Sequence, residues 1–114
     1  MVGGLSQDIA LCAETVRMSD PDRFLSAMTA NVAERDGLMV LYAFNVEVSR
    51  SPWVTAEPIV AEMRLQWWFD AIDEIFDGGA VRRHQVVTPL AELVRARGLR
   101  RDWLDGMIRA RRWD

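Results

Sequence analysis

Four carboxylates recur at helical spacing in the middle of the chain. Asp70, Asp73, Glu74 and Asp77 stand at i, i+3, i+4 and i+7 and so share one face of a helix. Helices that hold divalent cations use this spacing, often with a substrate diphosphate completing the shell. The same run also reads as a solvated or arginine-paired surface. Acids in the last turns of a helix oppose its macrodipole, at roughly a few tenths of a kcal/mol each. The stripe therefore asks for a partner, either arginine or a metal ion.

Just upstream, Arg64 and Gln66 precede the pair Trp67-Trp68. An arginine beside tryptophan can stack and still offer its fork to a phosphate; pairing with Glu62 or Asp70 is the structural alternative. Adjacent helical positions lie about 100° apart, so the two indoles face different ways and the segment is either buried on two sides or covers a partner. Tyr42 and Asn45, at i and i+3 on an otherwise apolar surface, need hydrogen-bond partners if buried, in a pocket or in a structural network. His84 is the only histidine and lies in a loop without a nearby acid–base partner; no Ser-His-Asp or Cys-His grouping can be assembled around it. The single cysteine, Cys12, leaves no intrachain disulfide and no zinc site of its own.

The elements that position these residues read as helices throughout. No sustained period-2 alternation and no Asn-Gly or Asp-Gly hairpin appears. Ser6 is a candidate cap for a first helix with the stripe Ile9, Cys12, Ala13 and Val16. Asp20-Pro21 opens a short second helix. Asn31, with Glu34 three residues on, opens a third that runs to about Arg50, where Ser51-Pro52 stops it. This third helix is apolar on most of its circumference, which marks a central, buried element. A fourth runs from about Thr55 to Asp77 and ends at Gly78-Gly79. Thr88-Pro89 starts a fifth that closes at Gly98, and Asp102 caps a sixth that has no stop signal before Asp114.

At 114 residues and 50% hydrophobic content the chain has room for one globular core. No apolar run approaches the ~18–20 residues of a membrane span, and the start lacks a signal-peptide pattern, so a cytoplasmic protein with at most peripheral membrane contact is expected. All 14 basic residues are arginine, which excludes Schiff-base lysine chemistry and a Walker-type phosphate loop. Residues 1–80 hold 5 Arg against 13 acids, net −8, and residues 81–114 hold 9 Arg against 4 acids, net +5. The basic part carries no aromatic–basic ladder, so pairing with the acidic part is expected and a nucleic-acid partner is not.

Three segments in register carry a family resemblance. Arg35-Asp36-Gly37-Leu38-Met39-Val40-Leu41-Tyr42-Ala43-Phe44-Asn45 resembles the Arg-x-x-x-x-x-Leu-Tyr-Ala-Phe helix of the squalene/phytoene synthase family. Arg64 to Asp73 resembles its Arg-Leu-Gln-Trp-Trp-x-Asp-Ala stretch, and Val86 to Leu90 and Met107 to Asp114 are similar to the segments expected next. The resemblance spans roughly residues 20–114, and because family members are considerably longer, it is to their N-terminal part. It implies an all-α, helical isoprenoid-synthase-like fold, here the N-terminal portion of about five to six helices, with residues 1–114 as a single domain or half-domain truncated relative to the family.

In active members two aspartate-rich helices grip Mg²⁺ and the diphosphates of two prenyl donors, which are joined head to head. The resemblance places an arginine near position 46 and aspartates near 49 and 53; this chain has Val46, Ser49 and Trp53. Its Asn45, Glu47 and Arg50 look more like the branch that contains the mitochondrial complex I assembly factor 6. The resemblance thus implies a protein without catalysis on this chain, acting as a prenyl- or lipid-binding or an assembly or interaction factor, with a homodimer or a partner protein as its company. The alternative is a Mg²⁺-dependent prenyltransferase acting on isoprenoid diphosphates. For either, Arg35, Tyr42, Asn45, Arg64 and Gln66 are the candidate substrate- or diphosphate-binding residues and Asp70 and Asp73 the candidate metal ligands; no cofactor is expected unless the chain is active.

Overall fold

Asp20, Asn31, Gly78 and Gly98 punctuate the chain as their chemistry dictates. In the computed structural model, which describes residues 2–51 and 55–113, the Asp20 carboxylate accepts the Arg23 amide at 3.3 Å and opens α2 (Pro21–Thr29), with proline at its first position. The Asn31 side chain accepts the Glu34 amide at 3.1 Å and opens α3 (Val32–Arg50). α4 (Pro58–Asp77) ends at Gly78 with φ +78°, and α5 (Val87–Arg97) ends at Gly98 with φ +63°, where the Gly98 amide donates to the Val94 carbonyl at 2.8 Å. Both turns use the left-handed backbone that a side chain makes costly by about 1–2 kcal/mol.

Four other starts differ from expectation. α1 (Val2–Ser19) already runs through Ser6, because a serine inside a helix costs little and need not begin one. α4 begins at Pro58, not Thr55; the Thr55 hydroxyl instead accepts the Glu57 amide at 3.1 Å ahead of the helix. α5 begins at Val87, so Pro89 lies within its first turn, where its missing N–H has no helical partner to lose. α6 (Arg101–Arg109) has Asp102 inside its first turn, held by Arg100 at 2.7 Å, and gives way to a 3₁₀ turn over Ala110–Trp113. Pro52, Trp53 and Asp114 lie outside the described residues.

α3 is the central element, as its all-round apolar pattern requires. Met39, Val40, Ala43, Phe44, Val46 and Val48 are all buried along it. α1 lies against it with Cys12 and Val16 fully buried, α2 folds back over both, and α5 and α6 close the other side. α4 turns one stripe inward (Leu65, Trp68, Ile72, Ile75) and its acids outward. One continuous core joins α1 to α6. Among the described residues there is no strand, and no helix is long and apolar enough to cross a membrane.

Candidate functional site at the tryptophan pair

The two tryptophans of α4 are covered on different sides, as adjacent helical residues must be. Trp68 points into the core, meets the Phe44 ring edge-on at 5.6 Å and donates its indole N–H to the Ser51 hydroxyl at 3.1 Å. Trp67 stands perpendicular to it at 4.9 Å, carries the Arg82 guanidinium at 4.8 Å and lies 5.1 Å from the His84 ring. The pair floors a cavity of about 440 Å³, with Val60 and Met63 on one wall and Glu47, Ser51, Arg64 and His84 supplying its polar groups. That size falls in the range of small-ligand sites.

His84 belongs to this site through its partners. Its Nδ1 accepts the amide N–H groups of Val86 at 3.0 Å and Val87 at 3.4 Å, and its own amide donates to the Thr88 hydroxyl at 3.1 Å. Burial lowers the imidazole pKa, an effect that Glu47 opposes and Arg83 assists. No acid–base partner shows among the side chains because the partners are backbone amides; the signal available was a histidine three residues before a helix start. Glu47 and Ser51 likewise come to the cavity from one turn of α3 and its C-cap.

The acidic stripe of α4 is taken up by arginines from the basic part of the chain. Arg101 pairs with Asp73 and, at 3.1 Å, with Asp77, tying α6 to α4. Arg82 grips Glu74 through two side-chain bonds of 2.9 and 2.7 Å and a backbone bond of 3.0 Å, which hold the Glu74 carboxyl down at about 2. Asp70 accepts from Gln66 at 3.0 Å along the same helix.

The remaining candidates are dispersed. Arg35 donates to the Met28 and Ala30 carbonyls at 3.2 and 3.5 Å, a cation at the C-terminal end of α2. It lines a second cavity, of about 360 Å³, between α1, α2 and α3. Tyr42 lies under the Arg23 guanidinium at 5.5 Å, and Asn45 is half-buried on α3. Arg64 lines the larger cavity and Arg35 the smaller, so the five proposed diphosphate contacts do not gather in one place. A Mg²⁺–diphosphate centre needs several converging carboxylates. Among the described residues no three potential metal ligands converge, and Asp70 and Asp73 each already serve a protein partner. The residues present do not fit that ion.

Comparison with known proteins gives the same family as the sequence motifs. The squalene/phytoene synthase family model matches residues 16–114. A Drosophila melanogaster protein named as an NADH dehydrogenase (ubiquinone) complex I, assembly factor 6 homolog is 33% identical over 105 residues, which cover 88% of this chain. The matched region spans only 31% of that relative's length. No solved structure matches the chain.

Proposed function

The chain belongs to the squalene/phytoene synthase family, and from that premise we propose that it is a non-catalytic member whose work is to bind a partner, as an assembly or interaction factor. One observation carries this reading. The carboxylates best spaced for a metal centre are engaged by Arg101, Arg82 and Gln66, so their charge already serves to hold α4 to α6 and to the loop before α5. Two others support it. α3 carries Val46 and Ser49 where prenyl-joining relatives use arginine and aspartate, and the Drosophila relative is named as an assembly factor. In the proposed role residues 1–114 form the N-terminal helical unit of the fold. The cavity beside Trp67 offers an apolar wall for a prenyl or other lipid-like group, bound and not transformed.

Incubation with Mg²⁺ and farnesyl or geranylgeranyl diphosphate tests the proposal. The expected result is no diphosphate release above background. Release that Asp70→Asn abolishes overturns the non-catalytic reading in favour of the prenyltransferase. Loss of the gene is expected to lower the amount of assembled NADH dehydrogenase on native gels in the organism that carries it. An unchanged amount counts against the assembly role.

A further inference from the structure

The only histidine of the chain is built into a helix start. The first turn of α5 leaves backbone N–H groups without intrahelical acceptors, and His84 supplies one: Nδ1 faces the Val86 and Val87 amides at 3.0 and 3.4 Å. A ring nitrogen that accepts carries no proton, so the neutral ring holds its proton on Nε2. The backbone closes the same turn. The Thr88 amide donates to the His84 carbonyl at 3.0 Å, and the His84 amide donates to the Thr88 hydroxyl at 3.1 Å. On its other side the ring packs 5.1 Å from Trp67 and 5.4 Å from Trp68 and borders the cavity they floor.

We propose that His84 is an acid-sensitive latch: as a neutral imidazole it caps α5 and pins that helix start to the Trp67–Trp68 wall of the cavity, and on protonation it releases both.

The geometry makes protonation incompatible with the cap. A proton on Nδ1 turns two hydrogen bonds into two donor–donor contacts. The new cation would also stand at a helix N-terminus, whose dipole end is positive. Between two indoles it would lose hydration that the charged form needs. The charges around it divide. Asp8 of α1 and Glu47 of α3 favour the cation, while Arg83 beside it disfavours it. Arg82 on the Trp67 ring and Arg64 of α4 at the same cavity add positive charge nearby. Burial is the largest influence, and the ring ionises below the ordinary 6.5. Release therefore falls on the acid side of pH 6.5. Behind the latch lie Val86 and Val87, both fully buried, so release frays the start of α5 and loosens one wall of the cavity. The latch works in the same way whether or not the chain catalyses a reaction.

Nitrogen NMR of the imidazole, with hydrogen exchange at the Val86 and Val87 amides across pH 7.5 to 5, tests it on the native chain. The expected result is an Nε2–H tautomer at the upper pH and a titration midpoint below 6.5. Protection at both amides, corrected for intrinsic exchange, should fall by about tenfold or more through that midpoint while the Phe44 amide of the core keeps its protection. His84→Gln, whose side-chain oxygen accepts but does not titrate, should keep the protection at both ends of the range. His84→Phe, with no acceptor, should lack it at both. An Nδ1–H tautomer, a midpoint at or above 6.5, or an equal loss of protection in His84→Gln overturns the latch. The native titration decides the matter even where a variant fails to fold.

Discussion

The Trp68 indole N–H donates to the Ser51 hydroxyl at 3.1 Å, tying the middle of α4 to the C-cap of α3 inside the core. Both partners are buried, Trp68 to 5% and Ser51 to 9% exposure, so removing one strands the other. Ser51→Ala leaves the indole N–H without an acceptor, and an unsatisfied buried donor costs about 1–3 kcal/mol. Trp68→Ala also removes the ring that packs on Phe44 and should cost about 3–5 kcal/mol. Urea unfolding should report both as lower midpoints with an unchanged slope. A neutral Ser51→Ala would mean that the hydrogen bond adds nothing beyond ring packing.

Arg101 holds Asp73 and Asp77 of α4 and reaches Asp105 of its own helix at 3.5 Å. Arg101→Ala leaves three carboxylates facing one another, so it should destabilise the chain more than Arg95→Ala, which breaks only an exposed pair with Glu92. Exposed charges are screened by salt, and the screening length shrinks from about 10 Å at 0.1 M to about 3 Å at 1 M. The difference between the two variants in thermal midpoint should therefore narrow as salt is raised. A difference that does not respond to salt would assign the effect to packing of the arginine stem.

Glu74 supplies a pH signature. Arg82 holds its carboxyl at about 2, against an ordinary value of 4.5. Between these values the unfolded chain binds the proton and the folded chain does not, so stability is present above pH 4.5 and is lost as pH falls toward 2. Glu74→Gln should flatten this part of the stability–pH curve while leaving the region above pH 6 with no added slope. Equal acid slopes in the two proteins would mean that the Arg82 pair is not formed in solution.

Helix ends were legible where the signal is local. Asp20, Asn31, Gly78 and Gly98 act through bonds or backbone angles within four residues of themselves. Ser6, Thr55 and Asp102 misled because a side chain able to cap does so only if the chain before it leaves the helix, and that depends on packing elsewhere. The all-round apolar pattern of α3 and the covering of Trp67 and Trp68 on two different sides are both present in the fold. The opposite charges of the two parts of the chain announced pairing in general, and the pairs formed include Arg82–Glu74, Arg83–Asp8, Arg101–Asp73 and Arg101–Asp77. Which arginine meets which acid was hidden, since Arg101 and Asp73 stand 28 residues apart. His84 was hidden for another reason: its partners are backbone amides, which leave no mark in the order of side chains.

Cys12 closes the set of titrating groups from the alkaline side. It is fully buried on α1, with its Sγ 3.5 Å from the Gln85 carbonyl. Burial, reinforced by the Asp8 and Glu47 carboxylates, pushes the thiol up to about 12 from an ordinary 9.0. Since the thiolate is the reactive form, a thiol raised this far above its ordinary value stays protonated at pH 8, and labelling requires an opening of the fold. Labelling by a disulfide reagent at pH 8 should therefore be slow in the native chain, accelerate with urea in step with unfolding, and be slowed by any change that stabilises the core. The same shift costs stability as pH rises above 9.0, where the unfolded thiol has ionised and the folded one has not. Cys12→Ala should remove that alkaline loss, although the smaller side chain lowers stability at neutral pH. Rapid labelling of the native chain in the absence of urea would place Cys12 at an accessible surface and contradict its position under Gln85.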